Sequence, residues 1–129
     1  MGLDQYAYTG KTRKTRKTGN KTDYVEIAYW RKHNRLEGFM KNLWIEKGRP
    51  DANKEYPDDF NCIMIELSPT DIDRLDEDNF NDTLPETQGF FFGSDSQGDD
   101  YKKQNTLHFI NQARDAFAAD LKVFYSSNW

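Results

Sequence analysis

Asn34-Arg35-Leu36-Glu37-Gly38-Phe39-Met40-Lys41-Asn42-Leu43-Trp44-Ile45-Glu46-Lys47 is the stretch on which the fold turns. Leu36, Phe39, Met40, Leu43 and Trp44 recur at i, i+3, i+4, i+7 and i+8, so a helix through them carries one apolar stripe. Asn34 stands where its side chain can cap the free N–H groups of the first turn, and Glu37, three residues on, can reach back to complete a capping box. Gly48 suits the left-handed position just past the end, and Pro50 follows it. Gly38 costs such a helix roughly 1 kcal/mol relative to alanine, so packing must favour it there.

On the N-terminal side the period changes. Leu3 to Thr9 and Tyr24 to Trp30 alternate and are rich in tyrosine, which predicts two strands. Between them KTRKTRKTGNK, residues 11–21, has a Gly19-Asn20 turn signal and reads as a long, mobile hairpin tip. On the C-terminal side, Arg49 to Phe60 is a polar loop and Cys62 to Leu67 a buried strand with an inert thiol. Ser68-Pro69-Thr70-Asp71 is a helix start: Ser68 as cap, Pro69 at the first helical position, Asp71 closing the box. That helix runs to about Asp78 with Ile72 and Leu75 inward. A short strand at Gly89 to Phe92 follows, then a third helix from about Asp99 to Ala119. Its inward positions are Leu107, Ile110, Ala113 and Phe117. Leu121 to Ser127 is a last strand. This order predicts one small α+β domain spanning residues 1–129, with three helices on a mixed or antiparallel sheet.

With 129 residues the chain holds one core, and 15% aromatic residues supply large buried areas from few positions. An aromatic core is therefore expected. The net charge of -4 hides an asymmetry: six of the 18 basic residues lie in 11–21, leaving 12 against 22 acids and about −10 on the remainder. No apolar run is long enough for a membrane span, and no basic and apolar blocks of a signal peptide open the chain. With its single cysteine, the chain is expected in a reducing cytoplasm, away from the membrane.

Four blocks together resemble a family of small phage and prophage proteins: Gly2-Leu3-Asp4 with Tyr6, Tyr29-Trp30-Arg31-Lys32, Gly89-Phe90-Phe91-Phe92-Gly93-Ser94 after Leu84-Pro85, and Tyr125-Ser126-Ser127 with Trp129. The resemblance implies a phage-encoded protein of the host cytoplasm and brings no assigned chemistry. Similar chains are sometimes labelled phosphoglycerate kinase, a reaction that needs two closing lobes for which this chain has no room. Where members of the family often have a histidine, this chain has Glu37, so no role of that histidine transfers.

The block Glu26, Tyr29, Trp30, Arg31, Lys32 and Asn34 ends a strand and opens a helix, whose N-terminus favours negative charge. There Arg31 could grip a phosphate and Trp30 stack on a base, or else Trp30 is core and Arg31 a surface ion pair. Phe91, Gly93 and Ser94 form either a second wall of that pocket or part of a doubly covered strand; Tyr125 joins the aromatic set. Lys11, Arg13, Lys14, Arg16 and Lys17 are either a solvated loop or a contact for a polyanion, nucleic acid or partner protein. No spacing of histidine or cysteine predicts a metal site, no serine or cysteine has an evident base, and no cofactor motif is present. The function expected is therefore non-catalytic capture of a small anionic, nucleotide-like ligand or of a host protein. The alternative is a metal-dependent hydrolase or nuclease using carboxylates drawn from Asp4, Glu26, Glu66, Asp71 and Asp73.

Overall fold

The computed structural model describes residues 2–11, 24–85 and 100–129. Its elements in chain order are β1 (Asp4–Gly10), β2 (Tyr24–Arg31), α1 (Asn34–Glu46), β3 (Met64–Leu67), α2 (Pro69–Asn81), α3 (Asp100–Ala118) and β4 (Lys122–Asn128). The strands form one antiparallel sheet in the order β2-β1-β4-β3, so the fold is α+β with an antiparallel sheet. The basic hairpin tip beyond Lys11 and the strand expected at Gly89 to Phe92 lie outside the described residues.

Strand alternation sorts the sheet into two faces, because residues directly opposite one another across a ladder share a face. Gln5 lies opposite Trp30 and Ser127, and Ala7 opposite Ala28 and Tyr125. This inner face meets the helices. Trp30 stands edge-on to Phe109 of α3 at 5.2 Å and donates its indole N–H to Thr106 Oγ1 at 3.1 Å. Trp44, Phe60 and Tyr125 form a ring series with centroids 5.2 and 6.4 Å apart, the aromatic core that the composition predicts.

The α1 stripe is buried at all five predicted positions. Its N-cap, however, is His33 and not Asn34: His33 Nδ1 accepts the Leu36 N–H at 3.4 Å. Asn34 is buried as the first helical residue, and Glu37 points into the core instead of back to the cap. At the other end Gly48 takes φ +88 and donates its N–H to the Ile45 carbonyl. For α2 the Ser68–Asp71 box forms as expected, and the helix continues to Asn81.

Two further expectations are corrected. The third strand begins at Met64, and Cys62 precedes it exposed, at φ +63, so it is not a buried core thiol. In α3 the buried face is Thr106, Phe109, Ile110, Ala113 and Ala116, while Leu107 is 39% exposed. The helix is rotated toward Phe109 because that ring closes the Trp30 edge of the core.

Candidate functional site

The residues singled out around the end of β2 do not share one pocket, because alternation sends them to opposite faces. Trp30, 2% exposed, is core, which corrects the expectation that it offers a stacking face to a ligand. Tyr125 is wholly buried on the same inner face, and Asn34 is buried as well. Glu26, Tyr29, Arg31 and Lys32 are exposed. Lys32 takes φ +57 at the turn into α1; its N–H donates to the Leu3 carbonyl, and its own carbonyl accepts from Lys102 Nζ. Phe91, Gly93 and Ser94 lie outside the described residues, as do Arg13, Lys14, Arg16 and Lys17. Lys11 is described and exposed.

What β2 does assemble with its neighbours is a tyrosine surface on the outer face of the sheet. Tyr29 lies opposite Tyr6, which lies opposite Ser126, which lies opposite Met64. The Tyr6 and Tyr29 rings are 5.3 Å apart, and Tyr6 and Tyr8 are stacked at 6.3 Å. Tyr6 and Tyr8 are half-buried and Tyr29 is 42% exposed. All three described helices pack on the inner face, so among the described residues no helix covers these rings. Next to them, Asp4, Arg31 and Asn128 form the adjoining row. Tyr29 donates its hydroxyl to Asp4 Oδ1 at 2.7 Å, which engages that carboxylate and pushes the tyrosine pKa up. Toward the far end the face closes: Phe124 is wholly buried with Tyr24 edge-on to it at 5.4 Å. Tyr8 is pushed up by burial and by the neighbouring Glu26. The sequence carried a signal for this surface in Tyr6 and Tyr8, which alternate with Gln5 and Ala7.

A second constellation lies beneath the inner face. Glu37 is buried and accepts from Tyr125 Oη at 2.7 Å and Ser127 Oγ at 2.8 Å. Gln5, also buried, donates to Tyr125 Oη at 3.0 Å. Its carboxamide also brackets the His33 backbone, accepting the N–H and donating to the carbonyl, both at 2.9 Å. Burial pushes the Glu37 carboxyl up to about 7, with the two hydroxyl donors and Lys41 working against it. The Tyr125 hydroxyl is raised well above its ordinary value by burial and then by Glu37. Local spacing could not announce this network, since its partners are 88 and 90 residues away in the chain.

The carboxylates considered for a metal site are dispersed. Asp71 is held by Lys47 Nζ at 2.7 Å and by the Ser68 cap, which outweigh burial and lower its pKa. Asp73 pairs with Arg114 at 3.0 Å and Glu66 with Lys122 at 3.7 Å. Among the described residues no three histidine, cysteine, aspartate or glutamate side chains come together around a possible ion. Nor is any described helix long and apolar enough to cross a membrane. The chain matches no protein-family model, no curated protein and no solved structure.

Proposed function

We propose that this is a phage-encoded, non-catalytic binding protein of the host cytoplasm, and that it takes a small anionic, nucleotide-like ligand on the outer face of its sheet. One observation carries the reading: Tyr29, Tyr6 and Tyr8 form a continuous, partly exposed ring surface, and the exposed Arg31 lies in the adjoining row opposite Asp4. A ring face accepts any base, and a guanidinium accepts phosphate oxygens in pairs, so the combination holds a nucleotide without transforming it. The buried Trp30 and Tyr125 serve this surface from behind, as packing that keeps β2 and β4 in register with β1.

The test is a nuclear magnetic resonance titration with adenosine monophosphate and, separately, with adenosine. Saturable shifts are expected at Tyr6, Tyr8, Tyr29 and Arg31, with weaker binding of adenosine and of the Arg31→Ala variant. Shifts absent from these four residues, or undiminished in Arg31→Ala, would refute the reading.

A further inference from the structure

Resting on that reading of the outer face, we infer that its occupant is a ribonucleotide, told from its 2′-deoxy counterpart by the Asp4 carboxylate, which accepts the sugar hydroxyls. The support begins with a mismatch of charge. Arg31 lies directly opposite Asp4, so the cation that would hold a phosphate has an acid as its neighbour. A purely anionic occupant meets attraction and repulsion there together. An occupant that presents a hydroxyl donor to Asp4 and an anion to Arg31 satisfies both. Asp4 is half-buried and accepts the Tyr29 hydroxyl through Oδ1 at 2.7 Å. A carboxylate only accepts, and its two oxygens have room for about four hydrogen bonds, so capacity remains beside the ring. Asn128, opposite Asp4 on its other side and exposed, adds a donor and an acceptor to the same row.

The groups also follow one another in the order of the parts of a nucleotide. Tyr6 and Asp4 are two residues apart on β1 and share a face, a step of about 7 Å at roughly 3.4 Å per residue. Tyr29 lies opposite Tyr6 as Arg31 lies opposite Asp4. A base over the Tyr6 and Tyr29 rings therefore puts its sugar one row along, at Asp4, with the phosphate across at Arg31. The guanidinium is placed for this. A Cβ on Gly2 would lie 3.3 Å from Arg31 Nη2 and 3.8 Å from its Cζ, so the group rests against the chain two residues before Asp4. Tyr29 joins the two subsites, since the ring that would stack carries the hydroxyl that Asp4 holds.

The experiment is isothermal titration calorimetry of the full chain with adenosine monophosphate and with 2′-deoxyadenosine monophosphate, which differ by one hydroxyl. The ribose form is expected to bind about tenfold more tightly, the ordinary worth of one hydrogen bond to a charged acceptor. Asp4→Asn should bring the two affinities to within about threefold, while the 2′-deoxy form binds at least as well as to the parent, because a negative neighbour of its phosphate is gone. A merely structural role for Asp4 would weaken both nucleotides alike and leave their ratio unchanged. Tyr29→Phe keeps the ring and frees Asp4 Oδ1, so the preference for ribose should persist. Circular dichroism melts establish that each variant is folded, and the parent's own comparison of the two nucleotides decides the matter if Asp4→Asn is not. Equal binding of the two by the parent overturns the inference and leaves the nucleotide reading standing. A ribose preference undiminished in Asp4→Asn overturns the assignment to this carboxylate. Failure of both nucleotides to bind removes the inference together with the reading beneath it.

Discussion

Glu37 is the residue whose environment departs furthest from what its position in the chain implies. Spaced three residues after Asn34, it has the signature of a capping-box acid, yet its carboxyl sits in the core between Tyr125 and Ser127. The sequence shows the spacing and hides the partners, because what captures the side chain is brought in by strand pairing. Its titration carries a consequence. With a folded pKa of about 7 and an unfolded value near 4.5, the folded state holds the proton more tightly. This contribution to stability is complete below about pH 4.5, declines as pH rises and is gone above about pH 7, a span worth roughly 3 kcal/mol. Urea unfolding at pH 5 and pH 8 should therefore show the protein less stable at pH 8. Glu37→Gln, which cannot ionise, should flatten that difference; a variant with the same pH dependence as the parent would assign it to other groups.

At the scale of elements, legibility depended on whether the deciding contacts were local. Ser68, Pro69 and Asp71 act within one turn, and the sequence-based reading of that helix start coincides with the structure. Ser68→Ala should cost about 0.5–2 kcal/mol, measured as a shift in the urea midpoint with unchanged slope. The N-cap of α1 was misplaced by one residue because two polar side chains compete for it. The left-handed turn at Lys32 and the Gln5 clamp on the His33 backbone give the position to His33. The phase of α3 was misread because Ile110 and Ala113 belong to both candidate stripes. Phe109 and Leu107 are then separated only by where Trp30 stands. The same limit governed the candidate site. Consecutive residues Tyr29, Trp30 and Arg31 look like one cluster in sequence, and a strand necessarily divides them between solvent and core.

For the whole molecule, the sheet order sets the gradient of stability. Among the described strands, β1 and β4 are paired on both sides, whereas β2 and β3 are edges. The β2 edge is partly blunted by α3, from which Asn105 Nδ2 donates to the Tyr29 carbonyl at 2.7 Å. Native-state hydrogen exchange should accordingly find the slowest amides in the centre of β1 and β4, around Ala7 and Tyr125, and faster exchange in β2 near Tyr24. The opposite ranking would mean that β1 and β2 form the more persistent unit. A slow centre and a faster edge would also leave the ring-bearing part of β2 free to adjust to an occupant without loosening the core.

Because the last of the seven described elements lies between the first and the fourth, a nascent chain has no way to complete this sheet early. At synthesis rates of about 5–20 residues per second, β3 waits for several seconds after it is made before β4 can join it to β1. During that interval β1 can pair with β2, but its other edge stays unsatisfied, and Glu37 has neither hydroxyl donor. The arrival of Tyr125 and Ser127 therefore does two things in one step: it zips the sheet shut and neutralises a polar defect in the half-built core. Closure of the described sheet therefore waits on β4, whichever helices have formed before it.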